Sequence, residues 1–340
     1  GDFDYNPHTR DHTKQGVNNN ELLISSSAFG SIYGNQIKIV GVNGNIGVAG
    51  DVISERVLKI NADGTIVTNK TQAKEAMEVK AKEFVQEGSV YTEGKLTIEA
   101  DKTTLKGSGT QASEIEISGN LDNNSKLYST GNVTVGKDVK NKGQIISENG
   151  LDIKGSLDSD NLVYGKYEIR VGKSLLNKSD IQSEGNITVS EDTINTGRIL
   201  SDKELNIKGN TVNQGTLYGK EKIRIEKNLN NTGSVQTTGE LRAKDTVNTG
   251  KLTAEGNIST DNLDNNGEII TNKKLVTKNL ENKSTGKITT GEGIDTAGNA
   301  ANHGQINTNG SFMISSNLEN YNIINVGGLV STKDLTNTGT

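Results

Sequence analysis

Few side chains in this sequence are of types that do chemistry, and their spacing keeps them apart. The three histidines are His8, His12 and His303. His8 and His12 share an i,i+4 spacing that would suit a metal on a helix, but their segment has no helical pattern. There is no cysteine, which removes thiolate nucleophiles, zinc–thiolate sites and disulfides. Carboxylates such as Glu116, Asp152 and Glu168 sit between apolar neighbours in alternating stretches, so they are expected to face solvent. A polysaccharide lyase or hydrolase would need paired acids, or a basic residue, beside aromatic sugar platforms. There is no Trp, and Tyr91, Tyr128 and Tyr218 are expected to point outward on non-adjacent turns, without forming a stripe. Lys166, Arg170, Lys220, Lys222 and Arg224 read as solvated strand positions. No catalytic, cofactor-binding or metal site is expected, and no cofactor is implied.

The residue that does recur at fixed places is asparagine, with 42 copies in 340 residues. Asn141, Asn177, Asn195, Asn213, Asn231, Asn248, Asn265 and Asn302 each lie two residues before a repeated glycine or its equivalent, and Asn282, Asn320 and Asn337 fill nearly the same place. Asparagine tolerates left-handed backbone and bonds to its own turn. Stacked copies can also form amide ladders. A structural turn ladder is therefore expected here, rather than a glycan or ion site.

The elements that carry these residues repeat. A phrase of the form NTG-x-aliphatic gives anchors at Leu127, Ile145, Leu162, Ile181, Ile199, Leu217, Val235, Leu252, Ile269, Ile288, Ile306 and Ile323, spaced 17 to 19 residues apart. A second apolar residue follows six residues later in every copy but one, as at Leu151, Ile187, Leu205, Ile223 and Leu241. A third follows at Val139, Leu157, Leu175, Ile194, Val212, Leu229, Val247, Leu263, Leu280, Leu318 and Leu335. Period-two alternation inside each copy means short strands. One copy cannot bury its apolar face, but stacked copies can.

The fold expected is all-β: a right-handed parallel β-helix with coils of about 18 residues. Its core stack includes Ile145, Ile199, Leu217, Val235, Leu151, Ile187, Leu205, Ile223 and Leu241. Five or six apolar residues per coil would suffice, which explains why only 31% of the chain is hydrophobic and 4% aromatic. Twelve coils would stack to roughly 60 Å.

Three regions are expected. Residues 1–30 are a polar lead with the first strands, partly irregular. Residues 31–120 are irregular coils, with a side insertion near 69–76 and an irregular turn at 106–113. Residues 121–340 are regular repeats that stop in mid-turn at Gly339-Thr340, as an excised segment of a longer chain would. The stretch 73–86 has helical propensity, but its register favours a coil, with Met77, Val79 and Phe84 inward.

No apolar run is long enough for a transmembrane helix, so membrane insertion is not expected. The charge balance of 37 basic against 42 acidic residues argues against nucleic-acid binding.

The segment ISSSAFGSIYGNQIKIVGVNGNIGV, residues 24–48, resembles a phrase of the filamentous haemagglutinin family of two-partner secretion exoproteins, which includes adhesins and contact-dependent growth inhibition effectors. Phe29-Gly30-Ser31-Ile32-Tyr33-Gly34, then Ile37, Ile39, Gly41, Gly47 and Val48, carry the likeness. Ser31 and Asn43 depart from it. NADGTIVTNK, residues 61–70, is similar to that family's next coil.

The resemblance implies a secreted stem on the bacterial cell surface, exported through an outer-membrane partner transporter that recognises a preceding secretion domain. It implies a monomeric rod that projects binding or effector regions, with a host or bacterial surface receptor or glycan as a further partner. Two alternatives stand beside it: a receptor-binding or toxin-delivery filament of a growth-inhibition effector, and a polysaccharide-active β-helix enzyme.

Overall fold

A computed structural model describes residues 3–6, 11–15, 22–25 and 30–340, with side chains from residue 30 onward. His8, the side chain of His12 and Phe29 of the family-like phrase lie outside the described residues. Among the described residues there are only strands and turns. The chain divides into two units, residues 1–172 and 173–340. Each is a parallel β-solenoid.

One coil of the second unit shows how the sequence closes on itself. Arg198–Ser201, Glu204–Ile207 and Thr211–Asn213 are three strands on three successive faces. Their inward residues are Ile199, Ser201, Leu205, Ile207, Thr211 and Asn213, all at most 1% exposed. Each strand pairs in parallel with its equivalent one coil away: Leu205 meets Ile187 on one side and Ile223 on the other. The first face of this unit runs through nine such strands, from Asp180–Ser183 to Ile323–Val326, and that of the first unit through eight, from Ile32–Gly34 to Val163–Gly165. At about 4.8 Å per rung the second unit's first face is on the order of 40 Å long.

The interior is less apolar than the sequence suggested. Every expected core-stack residue is buried, from Ile145, Ile199, Leu217 and Val235 on the first face to Leu151, Ile187, Leu205, Ile223 and Leu241 on the second. A coil such as 198–213 spends only three of its six inward places on aliphatics. One of the others, a hydroxyl at the first corner, is hydrogen-bonded. Ser201 Oγ lies 2.7 Å from Gly185 O and 2.9 Å from Glu204 O, and accepts from Lys203 N.

Three ladder positions differ from the expected ones by a single residue. Val163, not Leu162, pairs with Ile145 and is buried. Ile324, not Ile323, pairs with Ile306, and Val330, not Leu329, pairs with Phe312. With Val163 as the anchor, the six-residue step to Ile169 holds in that copy too. Adjacent aliphatics leave the choice open in sequence, and ladder pairing with the coil below makes it.

The third face departs more. Ile194 and Val247 are 47% and 44% exposed, and the inward places belong to Thr193, Thr211 and Thr246. The cause lies two residues on. Asn195, Asn213 and Asn248 are inward and fully buried, and strand alternation forces the residue two before an inward Asn to be inward as well.

The expected insertion at 69–76 is absent. Thr71–Ala73 is a ladder strand between Val52–Ser54 and Ser89–Thr92, and the extra residues are absorbed by coils 19 to 20 residues long. Gly109–Ala112, expected as part of an irregular turn, likewise pairs on both sides. In 73–86 the strands Ala76–Lys80 and Glu83–Gln86 bury Met77, Val79 and Phe84. Propensity yields there to the two parallel partners that each strand finds.

The repeated glycines serve close approach rather than a left-handed turn. A Cβ on Gly215 would fall 1.9 Å from the carbonyl oxygen of Gly197 one coil below. Only Asn43, at φ 57°, is a non-glycine with positive φ among the described residues, so the ladder asparagines are not left-handed either.

Candidate functional site

The asparagines form a buried amide column at the end of the third face. In the second unit Asn177 donates Nδ2–H to Asn195 Oδ1, and the chain of donations continues through Asn213, Asn231, Asn248, Asn265, Asn282, Asn302 and Asn320 to Asn337, each at 2.8 or 2.9 Å. In the first unit Asn123 donates to Asn141 Oδ1 at 2.8 Å, and Asn141 to Ser159 Oγ at 3.1 Å. The second amide hydrogen is used as well: Asn195 Nδ2 reaches the carbonyls of Gly197 and Thr216 at 3.0 and 3.1 Å.

Both donors and the acceptor are thus engaged in a dry interior, which is what makes a buried amide tolerable. Each interior amide of the column is committed to its neighbours on both sides. Asn123 escaped sequence reading because Asn124 and Ser125 stand where the NTG phrase would have marked it.

The outward positions of the first unit's first face bring together residues that looked separate in sequence. Tyr33, Ile53, Gln72, Tyr91, Gln111, Tyr128, Ile146 and Tyr164 are successive partners in one column. The tyrosines stand on non-adjacent rungs, as expected, so the column is a mixed one in which Ile and Gln separate the rings rather than a continuous aromatic stripe. The one-residue shift to Val163 also carries Tyr164 into the column.

Between Tyr91 and Tyr128 lies a groove of about 340 Å³, lined also by Ser89, Ser108, Gly109, Gln111 and Lys126. Lys126 Nζ sits 5.6 Å from the centre of the Tyr128 ring, a cation–π distance.

On the second unit's third face a groove of about 450 Å³ is lined by Asp245, Val247, Asp264, Glu281, Ala301 and Glu319. His303 stacks on Tyr321 at 4.6 Å between centroids and 7° between planes, with Nε2 3.7 Å from Glu281 Oε1. Tyr321 OH donates to Glu319 Oε2 at 3.0 Å, and that hydrogen bond, with the carboxylate charge, raises the phenol's pKa. Asp264 and Glu281 are register partners on neighbouring rungs, about 4.8 Å apart at the backbone. Asp264 is ion-paired with Lys283, and Glu281 is 44% exposed.

Elsewhere, charges pair between neighbouring coils. Arg198 Nε and Nη2 donate to Asp180 Oδ1 and Oδ2 at 2.7 Å each, which holds the Asp180 carboxyl below its ordinary range. Lys95 bridges Glu114 and Glu116 at 3.0 and 2.6 Å, and these contacts raise its pKa.

No protein-family model, curated protein or solved structure matches this chain.

Proposed function

We propose that the chain is the stem of a large secreted bacterial surface exoprotein, one that holds binding or effector regions away from the cell and makes local surface contacts of its own. In this reading it is not a catalyst. Its export partner is an outer-membrane transporter, and it works as a monomeric rod. The observation that carries the reading is the uninterrupted amide column from Asn177 to Asn337 beside the stacked aliphatics, because it commits the interior of each coil it passes through to holding its neighbours. A structure stabilised by identical contacts between neighbouring coils extends in one dimension without a new core.

Three further features support it. The family-like phrase at residues 24–48 points to secretion by a two-partner route. The chain has no cysteine and a single proline, so neither disulfide exchange nor much prolyl isomerisation would delay folding after passage across a membrane. The exposed charges pair from coil to coil, which suits a long solvated surface.

The test is fractionation and surface labelling of cells that produce the parent protein, with and without the gene for its outer-membrane partner. Surface exposure that depends on the partner is expected. Retention in the cytoplasm in both strains would overturn the proposal.

A further inference from the structure

The groove between Tyr91 and Tyr128 has the ingredients of a saccharide site. The two tyrosines are separated by two rungs, about 10 Å, with the Gln111 amide on the rung between them. Gly109 has φ of +152°, and a Cβ there would meet nothing closer than Lys126 O at 3.4 Å, so the missing side chain opens the floor of the groove. The Ser89 and Ser108 hydroxyls and the Gln111 amide line it, and they can donate and accept as sugar hydroxyls require.

Aromatic faces carry partial negative charge and attract the polarised C–H face of a sugar ring. The same column repeats the spacing: Tyr164 stands two rungs beyond Tyr128, across Ile146. An extended glycan lying along the stacking direction would meet a tyrosine at regular intervals.

Lys126 selects among saccharides. It is the one charged residue lining the groove, it is exposed, and no carboxylate stands within ion-pairing distance of it among the described residues. Its ammonium rests near the Tyr128 ring with no carboxylate to neutralise it, and such a cation complements an anionic ligand.

We infer that the groove between Tyr91 and Tyr128 binds an acidic saccharide, a uronate-containing glycan whose rings lie on the tyrosines and whose carboxylate meets Lys126. This deepens the surface-stem reading by giving the stem a ligand class, and it rests on that reading for its biological setting.

The test is calorimetric titration of the full chain with oligogalacturonate and, separately, with the neutral cello-oligosaccharide of the same length. Oligogalacturonate should bind more tightly. Tyr91→Ala and Tyr128→Ala should each weaken it about ten-fold, in line with the loss of a stacking platform. Lys126→Gln should weaken it by about five-fold at low salt, the upper range for an exposed ion pair, and weaken the neutral probe by less. These side chains point outward, so thermal melts of the variants should match the parent and show that the fold is intact.

No binding of either probe at millimolar concentration, equal affinity for both, or undiminished binding by the Tyr91→Ala/Tyr128→Ala double variant would each overturn the inference. The titration uses purified chain. Its failure therefore leaves the stem reading standing, whereas cytoplasmic retention of the parent protein would sink the stem reading and leave the binding result intact.

Discussion

Asn213 Nδ2 donates to Asn231 Oδ1 at 2.8 Å, with both side chains fully buried and each in turn bonded to the next coil. This contact joins neighbouring coils and fixes which way the third-face strand points. Replacing Asn213 by Ala leaves the Asn195 amide without its acceptor and Asn231 Oδ1 without its donor. A loss of about 2–4 kcal/mol is expected, from unpaired polar groups at about 1–3 kcal/mol each. Asn213→Ser should cost less, because the first unit already uses Ser159 Oγ as an acceptor in this column. Urea melts of the two variants would check the order, and equal losses would deny the ladder its role.

Thr211 is 1% exposed, and its hydroxyl has no hydrogen-bond partner among the described residues. Valine has the same shape without the unpaired group. Thr211→Val is expected to stabilise the chain by about 1 kcal/mol, the low end of the cost of an unsatisfied buried hydroxyl. The neighbouring change Val212→Thr, on the outward side, should fall within about 0.5 kcal/mol of zero. Denaturant midpoints that reverse this pair would show that the face is inside out.

Leu205 is fully buried between Ile187 and Ile223. Leu205→Ala should lose about 2–5 kcal/mol through lost burial and the cavity left behind. Leu205→Asp should lose more, because it places an unpaired charge in that cavity. Circular dichroism of the parent should be dominated by β-structure. A thermal transition unmoved by Leu205→Asp would contradict the stacking.

Arg198 and Asp180 form a fork–fork pair across one rung, with side chains 55% and 31% exposed. The pair depresses the Asp180 carboxyl below its ordinary value. Its contribution is therefore present above the unfolded carboxylate pKa of about 3.9 and lost as pH falls through the lower, folded value. Solvent screening keeps it small. Asp180→Asn should lower the melting temperature slightly near neutral pH, and the difference should close as the pH drops below about 4. A gap that widened in acid would mean the carboxyl is not held in its charged form.

Much of the solenoid was legible because its signal is repetitive. The steady spacing of Ile145, Ile199, Leu217 and Val235, with the six-residue step to Leu151, Leu205, Ile223 and Leu241, identifies stacked short strands without reference to any other chain. The asparagine column was legible as a column, and the amide ladder as one of two physical reasons for it. A left-handed turn and a buried ladder both place Asn at one position per coil, and only burial and φ distinguish them. The tyrosine column was missed because Ile53, Gln72, Gln111 and Ile146 carry no aromatic signal, and because an anchor at Leu162 leaves Tyr164 in the wrong parity.

The sequence by itself determined the period, the three short strands per coil and the aliphatics that stack, because a residue repeated about every 18 positions meets its own copy. The tertiary structure decided parity: Thr193 over Ile194, Thr211 over Val212, Val163 over Leu162. Strand side chains alternate with a period of two, so a shift of one residue exchanges inside for outside, and local hydrophobicity is nearly blind to the choice when neighbours are similar. The contacts between coils, above all the amide of each buried asparagine reaching the next, settle it.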